Sequence, residues 1–376
     1  MVERERAVEK LVRPWEGRRV FLTGHTGFKG GWLTLWLARL GAQIRGYALD
    51  PATEPNLFSV ARVGDVVDDV RGDILDRVRL EGTVEEFAPE VVFHLAAQPL
   101  VRRSYADPLG TYATNVMGTA HVLEAVRKAA SVRAVVCVTT DKCYENREWV
   151  WPYRESDGLG GHDPYSSSKA CAEIVSAAYR SSFYSVERRG EHKVALATAR
   201  AGNVIGGGDW SEDRLIPDLI RGFRAGKPVL IRRPGAIRPW QHVLEPLHGY
   251  IGLAEGLLAG DGRLASAYNF GPGDDDAWTV EQIANYLTGK WGEGAAWKRD
   301  SEEGVHEAGT LRLDASKARA ELRWQPLLGI EQALDWTVRW YRVQHDGGET
   351  RQETVRQIAD YEALAGCASA GHEGNG

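Results

Sequence analysis

What most constrains this chain is a run of glycines set between a short β-forming stretch and an apolar helical one. Arg19–Thr23 leads directly into Gly24-His25-Thr26-Gly27-Phe28-Lys29-Gly30, and an apolar helical pattern follows through Trp32–Leu40. Glycines at this spacing let the backbone turn tightly and approach a pyrophosphate, which then rests on the helix N-terminus. The spacing is GxxGxxG rather than the fingerprint GxGxxG, so the order strand, loop, helix carries more of the inference than the glycines do.

The alternation continues. Further strands are expected at Ile44–Leu49, Val66–Val70, Val91–Leu95, Ala134–Thr139 and Val194–Ala199, with amphipathic stretches at Leu75–Phe87, Gly110–Ala129 and Ser167–Tyr184. Strands spaced by helices imply right-handed βαβ units and a parallel sheet. VVFHL and AVVCV are apolar on both faces, as strands between two helix layers must be. After Gly202 the pattern loosens. Gly206–Gly208 and RRPGAIRPW break periodicity, and short strands at Val229–Ile231 and Tyr268–Phe270 mix with helices at Leu215–Arg224, Val243–Leu258 and Val280–Leu287. The expected class is α/β, a Rossmann-type doubly wound parallel sheet with a smaller C-terminal substrate-binding lobe. Residues 1–17 read as an N-terminal extension and 18–202 as the dinucleotide-binding domain. Residues 203–345 read as the substrate lobe, with a late strand free to return to the main sheet. Residues 346–376 read as a tail, small and polar from Cys367 and partly disordered.

Composition removes several functions. A net charge of -6 offers no basic surface for nucleic acid or an anionic membrane. No apolar run is long enough to span a bilayer. The start, MVERERAVEKLVRPWEGRR, has no apolar signal-peptide core, so a cytoplasmic location is expected. Cys137, Cys143, Cys171 and Cys367 show neither metal spacing nor a disulfide framework, and no metal is expected.

The second strand ends at Asp50, the distance on at which a dinucleotide fold places the acid that binds the adenosine ribose diol. A carboxylate there disfavours a 2′-phosphate, which favours NAD over NADP. The alternative is a turn acid before Pro51. Asp73 after the third strand either accepts from the adenine amino group or caps the next helix. The strand Ala134–Thr139 delivers Thr140-Asp141-Lys142 at its carboxyl end, where open α/β sheets place their ligands. Tyr165 and Lys169, in PYSSSK, are four apart and share a helix face. A cationic Lys beside a Tyr lowers the phenol pKa toward neutrality and makes Tyr165 a base for a sugar hydroxyl.

GHTGFKG, HLAAQP, TNVMGT and YSSSK together resemble the extended short-chain dehydrogenase/reductase superfamily, over nearly the whole chain. TTDKCYENREWVWPYRE, RAGNVIGGGDW and RPWQHVLEPLHGY are similar to its CDP-glucose 4,6-dehydratase branch. That resemblance implies bound NAD and conversion of CDP-D-glucose to CDP-4-dehydro-6-deoxy-D-glucose. It places Gly24, Thr26, Gly27, Phe28, Lys29, Gly30, Asp50, Asp73, Ile74, Leu95, Ala96, Ala97, Asn115, Tyr165 and Lys169 around the cofactor. In the implied chemistry Tyr165 takes the 4-hydroxyl proton, Thr140 binds the same oxygen, Lys169 holds the nicotinamide ribose and Asp141 protonates the departing 6-hydroxyl. Relatives acting on dTDP-sugars carry Asp-Glu after the Thr, with the Glu as the C5 base; here Lys142 stands there. Lys142 is either that base, if neutral, or a cation that stabilises the enolate.

A nucleotide sugar carries a diphosphate, so arginines are expected. Arg214 and Arg238 are the candidates, with Arg238 in the better-matched stretch; Arg232 and Arg233 read as surface. Gln98 and Asn203 are assigned to the substrate, and Trp240 to the pocket wall, with packing as the default for Trp149, Trp151 and Trp210. His94 reads as a satisfied core histidine, His162 and His192 as surface. The superfamily implies a homodimer or homotetramer built on the helix after Gly110 and the one bearing Tyr165, where Ala113, Gly118, Ala172 and Ala177 would permit close packing. A nucleotide-sugar 4-epimerase, a dehydratase for another nucleotide hexose and a silent NAD-binding regulator are the rival functions. Asp141-Lys142 argues against the epimerase, and the intact catalytic set against the regulator.

Overall fold

The computed structural model describes residues 14–273, 276, 278–292, 294–300 and 311–373. The alternation becomes β1 (Arg19–Thr23), α1 (Phe28–Arg39), β2 (Gln43–Ala48), β3 (Asp68–Arg71), α2 (Arg77–Phe87), β4 (Val91–His94), α3 (Gly118–Lys128), β5 (Ala134–Val138), α4 (Pro164–Ser182) and β6 (Ala195–Ala201). The later half adds β7 (Val204–Ile205), α5 (Leu215–Arg224), β8 (Val229–Ile231), β9 (Gln241–His242), α6 (Leu244–Leu258), β10 (Ala267–Phe270), α7 (Val280–Trp291), β11 (Trp297–Arg299), α8 (Ile330–His345) and α9 (Thr350–Glu373). Seven strands form one sheet in the order β10-β6-β5-β4-β1-β2-β3. All its pairings are parallel, with Val20 opposite both Ile44 and Val91, and Val136 opposite Ala197. The order reverses between β1 and β4, the switch point beyond which a doubly wound sheet opens its ligand crevice.

One layer of core lies between the sheet and α1, α6, α8 and α9, filled by Trp32, Trp36, Leu247, Trp340 and Tyr361. The other lies under α2, α3 and α4, around Phe21, Tyr47, Val92, Val122 and Leu196. Helix α1 starts at the glycine turn because Gly27 is extended and releases the next amides, and it ends where Gly41 takes φ +89. The late strand β10 does return to the main sheet, with Tyr268 opposite Ala199.

Some boundaries move for physical reasons. The expected strand at Val66–Val70 begins later, because Val63–Val66 close a tight turn and β3 is a polar edge strand, held by Arg45 Nε on Asp68 at 2.6 Å. The single helix expected at Gly110–Ala129 is interrupted by a wide turn at Ala113–Met117. Of the small residues expected at a subunit seam, Gly118 and Ala172 pack within the chain; a Cβ on Gly118 would lie 2.4 Å from Ile74. The segment from Thr350 is the helix α9, docked through Tyr361 on Trp36, and residues 374–376 of the expected tail lie outside the described residues. Residues 1–13 of the N-terminal extension lie outside the described residues. Among the described residues no helix is long and apolar enough to cross a membrane, and no cluster of His, Cys, Asp and Glu has the makings of a metal site.

Candidate active site

The glycine turn is built for close approach. A Cβ on Gly30 would sit 2.1 Å from the Gly24 carbonyl oxygen, and one on Gly24, at φ +83, would sit 2.7 Å from the Ala96 amide nitrogen. These two contacts press the turn against the end of β4, so Leu95 and Ala96 lie beside it, their amides facing the Thr23 hydroxyl. Thr26 donates to the Leu49 carbonyl at 2.9 Å, which ties the turn to the end of β2. Asp50, just beyond, is open: its side chain is 89% exposed, with Arg71 Nη1 at 3.4 Å. Asp73 accepts from the Leu75 amide at 2.9 Å, and the following helix is capped by Asp76 instead, so the capping alternative for Asp73 falls away. Ile74 is buried against Gly118.

At the end of β5 the chain turns through Thr140, Asp141 and Lys142. Asp141 is wholly buried, and the Thr140 hydroxyl donates to its Oδ1 at 2.9 Å. Lys142 Nζ stands 3.6 Å from the same oxygen. Asp141 Oδ2 is buried with no hydrogen-bond partner, as is Asn203 Oδ1. Both are acceptors left open to a donor.

Helix α4 brings in the other half. Asp163 caps it by accepting from the Ser166 amide at 2.9 Å, and Pro164 occupies the first helical position. The Ser104 hydroxyl accepts from the Tyr165 amide at 3.1 Å. Asn115, in the wide turn, donates to Ser168 Oγ at 2.8 Å and to the Gln98 carbonyl at 3.1 Å, joining α4 to the loop after β4. Tyr165 and Lys169 are both buried, and Lys169 Nζ donates to the Val138 carbonyl at 3.4 Å. Burial pulls the Lys169 amine down to about 8. Burial moves Tyr165 the other way. Burial raises its phenol to about 12, against the Thr140 hydroxyl and the Arg214 charge, which both favour phenolate. The desolvation of an anion outweighs that one cation and that hydrogen bond here.

Arg214 and Lys29 join this group electrically: Lys29 lies within reach of the charges of Arg214, Lys169, Asp141 and Lys142. Arg214 Nη1 pairs with Asp209 at 3.1 Å. Phe28 packs toward Gly206 across the cleft. Three residues expected at the substrate have partners within the chain. The Gln98 side chain is committed to its own loop, donating to Thr111 and the Leu100 carbonyl and accepting from the Leu100 amide. Trp240 is buried and donates to the Trp278 carbonyl at 3.1 Å. Arg238 turns one guanidinium nitrogen to the Ile237 carbonyl at 2.9 Å. Trp210 is likewise buried, against Tyr341. His94 bridges the Thr23 and Thr119 hydroxyls and is pulled down to about 3 by burial, a satisfied core histidine. His192 is half-buried and bonds the Ser185 carbonyl and the Val194 amide.

Sequence reasoning missed Asp163, Ser104 and Glu173. The Asp-Pro pair before Tyr165 was a readable helix start. Ser104 lies 61 positions from the amide it binds and left no local signal.

A sequence model of the family described as GDP-mannose 4,6 dehydratase matches residues 21–337. The chain is 52% identical over 347 residues to the CDP-glucose 4,6-dehydratase of Salmonella typhimurium, covering 92% of this chain and 97% of that protein. It is 28% identical to the UDP-glucose 4-epimerase of Mycolicibacterium smegmatis over 86% of this chain and 98% of that one. The structure of a double mutant of the dTDP-glucose 4,6-dehydratase from Streptomyces venezuelae, with NAD bound, shares the fold with a TM-score of 0.74 at 23% identity, over 89% of this chain and 99% of that one. With its parallel seven-stranded sheet, glycine turn and Tyr–Lys helix, the chain belongs to the GDP-mannose 4,6-dehydratase family, within the extended short-chain dehydrogenases/reductases.

Proposed function

We propose that this protein is a CDP-D-glucose 4,6-dehydratase that forms CDP-4-dehydro-6-deoxy-D-glucose and water, with NAD regenerated in each turnover. The observation that carries the reading is Asp141, wholly buried beside Lys142, with one carboxylate oxygen left without a partner next to Thr140 and Tyr165. An epimerase needs no acid at C6. The 52% identity to a CDP-glucose 4,6-dehydratase supports the choice of nucleotide.

The glycine turn fits a dinucleotide, because neither Gly24 nor Gly30 has room for a side chain against the backbone around it. Gly24–Gly30, Asp50, Leu95, Ala96, Ala97, Asn115, Tyr165 and Lys169 would hold NAD, which when bound supplies the hydride acceptor for C4 and the hydride donor for C6. Tyr165 takes the proton of the 4-hydroxyl, with Thr140 on the same oxygen. Burial holds the phenol high, while the Arg214 charge and the Thr140 hydroxyl favour phenolate. The 4-ketone acidifies C5–H. Lys142, held near Asp141, takes that proton or stabilises the enolate. Asp141 protonates the 6-hydroxyl, water leaves, and a proton returns to C5.

The test is incubation with CDP-glucose, dTDP-glucose and GDP-mannose. A 4-keto-6-deoxy product is expected fastest with CDP-glucose and without NADH accumulation; NADH released in step with product overturns the reading. Tyr165→Phe should lose hydride removal at C4, by about a hundred- to ten-thousand-fold. Asp141→Asn should still reduce enzyme-held NAD without forming the 6-deoxy sugar, and if it loses hydride transfer as fully as Tyr165→Phe, Asp141 is no leaving-group acid.

The working unit is proposed to be a cytoplasmic homodimer at least. Support comes from Leu109, Met117, Ile174 and Phe183, which stand 81%, 51%, 55% and 44% exposed on or near α3 and α4. Sedimentation showing only monomer at micromolar concentration refutes it.

A further inference from the structure

We propose that a cavity on the flank of the sheet is a binding site for a phosphate-bearing ligand, separate from the catalytic cleft, with Arg180 and Lys317 as its charged contacts.

The cavity, of about 680 Å³, lies against the edge pair β6 and β10, between the last turns of α4 and the short helix Ser316–Leu322. Tyr165 and Lys169 sit in the first turns of α4, whereas Ala177 and Arg180 line the cavity. At about 1.5 Å per residue, Tyr165 and Arg180 stand roughly 22 Å apart along the helix axis.

Four cations and three acids line the space. Two pairs close, Arg154 with Asp314 at 3.3 Å and Arg200 with Glu173 at 2.8 Å. Arg180 and Lys317 remain, with Glu155 alone to offset them. Arg180 donates through Nε to the Leu196 carbonyl at 2.9 Å, and among the described residues its two terminal nitrogens have no partner. Lys317 Nζ donates to Ser266 Oγ at 2.6 Å and to the Ala267 carbonyl at 2.9 Å, and lies 4.3 Å from the centre of the Tyr268 ring; none of these partners is an anion. Both cations are half-buried, so water solvates neither fully.

The sheet fixes where the two heads stand. Thr198 on β6 faces Ala267 on β10, and its amide donates to the Ser266 carbonyl at 3.1 Å. Arg180 is tied two residues before Thr198, and Lys317 at Ala267 itself, so both belong to one stretch of the wall. Glu155 stands farther along β10, its Oε1 accepting from the Asn269 amide at 2.8 Å. Arg200, only 3% exposed, lines the same cavity, and among the described residues its buried Nε has no acceptor. An enclosed excess of positive charge and an unmet donor both call for an anion.

The donors indicate its class. The Arg180 terminal nitrogens form a fork suited to two oxygens at once. The Ser266 hydroxyl accepts from Lys317 and keeps its own proton to give. Donors set on α4, at the start of β10 and on the helix Ser316–Leu322 suit tetrahedral phosphate oxygens better than a planar carboxylate. A phosphate group fills a small part of the volume, and the remainder has room for an organic body.

Equilibrium dialysis with inorganic phosphate, and separately with glycerol phosphate, tests the site. Wild type should bind one equivalent per chain that Arg214→Met, altered in the catalytic cleft, retains. Arg180→Met and Lys317→Met should each weaken that equivalent roughly ten- to a hundredfold. Arg180→Lys and Lys317→Arg, which keep the charge, should stay within about tenfold of wild type. Circular dichroism should match wild type throughout, and if Arg180→Met does not fold, Lys317→Met carries the test. Tighter binding of glycerol phosphate assigns the spare volume to the organic body of a monoester; equal or weaker binding makes free phosphate the ligand. Phosphate binding unchanged in both methionine variants overturns the proposal. So does an equivalent lost in Arg214→Met but kept in the other two, since the anion would then occupy the catalytic cleft. Wild type that binds neither probe at millimolar concentration overturns it as well.

Discussion

Two buried glutamates, one behind the active site and one under the C-terminal helix, meet burial in opposite ways. Glu173 on α4 accepts from Thr139 and from Thr198 at 2.8 Å, and pairs with Arg200 Nη2 at 2.8 Å. Burial pushes its carboxyl up, but the Arg200 charge and these hydrogen bonds hold it below the usual range. Glu245 on α6 accepts from the Leu327 and Leu328 amides, at 2.9 and 2.7 Å, and from the Tyr361 hydroxyl at 2.7 Å. It has as many donors, all of them neutral, and burial carries it up to about 7. Hydrogen bonds of equal number do not substitute for one full opposite charge.

The largest effect should come from breaking the charged pair. Glu173→Gln keeps the shape but leaves Arg200 buried without a counter-charge, a loss of about 3–5 kcal/mol. Its contribution has a definite pH sign. A depressed carboxyl stabilises the fold above its unfolded value and loses that as pH falls, so wild type should lose this term on acidification and Glu173→Gln should not. Denaturant unfolding at pH 7 and pH 4 measures both. Because Thr139 adjoins Thr140, the variant should also lose activity, and Glu173→Gln with Arg200→Met should recover stability before it recovers activity. A single-variant loss under about 1 kcal/mol would place this pair with ordinary surface ion pairs and dissolve the contrast.

How legible each region was follows the range of its interactions. Thr140-Asp141-Lys142 and Tyr165–Lys169 were readable because a strand end and an i,i+4 helix spacing are local facts. Glu173 stands one turn beyond Lys169 on the same face, yet its partner Arg200 lies 27 positions on, in another strand, and no periodicity connects them. The raised Tyr165 phenol was illegible for a related reason, since desolvation depends on everything packed around the ring. The sheet was visible in the apolar runs, whereas the return of β10 was left open, because its partner β6 lies far from it in sequence. Helix α9 was not, because the face it buries carries Glu353, Thr354, Gln357 and Glu362 beside Ile358 and Tyr361. Trp36 and Trp340 bind Glu362 and Thr354 through their indole N–H groups, so polar residues dock this helix and hide it from a hydrophobic pattern.

The neutral cage around Glu245 should give stability a slope of the opposite sign. A carboxyl raised above its unfolded value of about 4.5 stabilises the fold below that value, and the advantage is lost as pH rises through about 7. Glu255, raised to about 7 by burial despite the hydrogen bond it accepts from the Trp15 indole, adds in the same direction. Wild type should be more stable at pH 5.5 than at pH 8, by up to about 2 kcal/mol from each group. Glu245→Gln should remove part of that slope, and Glu245→Gln with Glu255→Gln most of it. A slope untouched by both substitutions would mean that the two carboxyls remain ionised in their neutral surroundings.

The smallest effect tests the neutral donors themselves. The Tyr361 hydroxyl donates to Glu245 Oε2 and so favours the ionised carboxyl, though too weakly to set it. Tyr361→Phe removes that donor and leaves the ring packed against Trp36 and His248. The cost should depend on the charge of Glu245. At pH 5.5 the carboxyl is protonated and the loss should be about 0.5 kcal/mol or less, the worth of one neutral hydrogen bond at its low end. At pH 8.5 the ionised carboxylate keeps only the two backbone amides, and the loss should rise to about 1.5 kcal/mol. Thermal unfolding of wild type and Tyr361→Phe at both pH values gives the difference directly. An equal loss at both would show that the hydroxyl acts without regard to the charge on Glu245. The clasp on α9 would then be held by packing alone, and the contrast with Glu173 would rest on desolvation, with no part played by the donors.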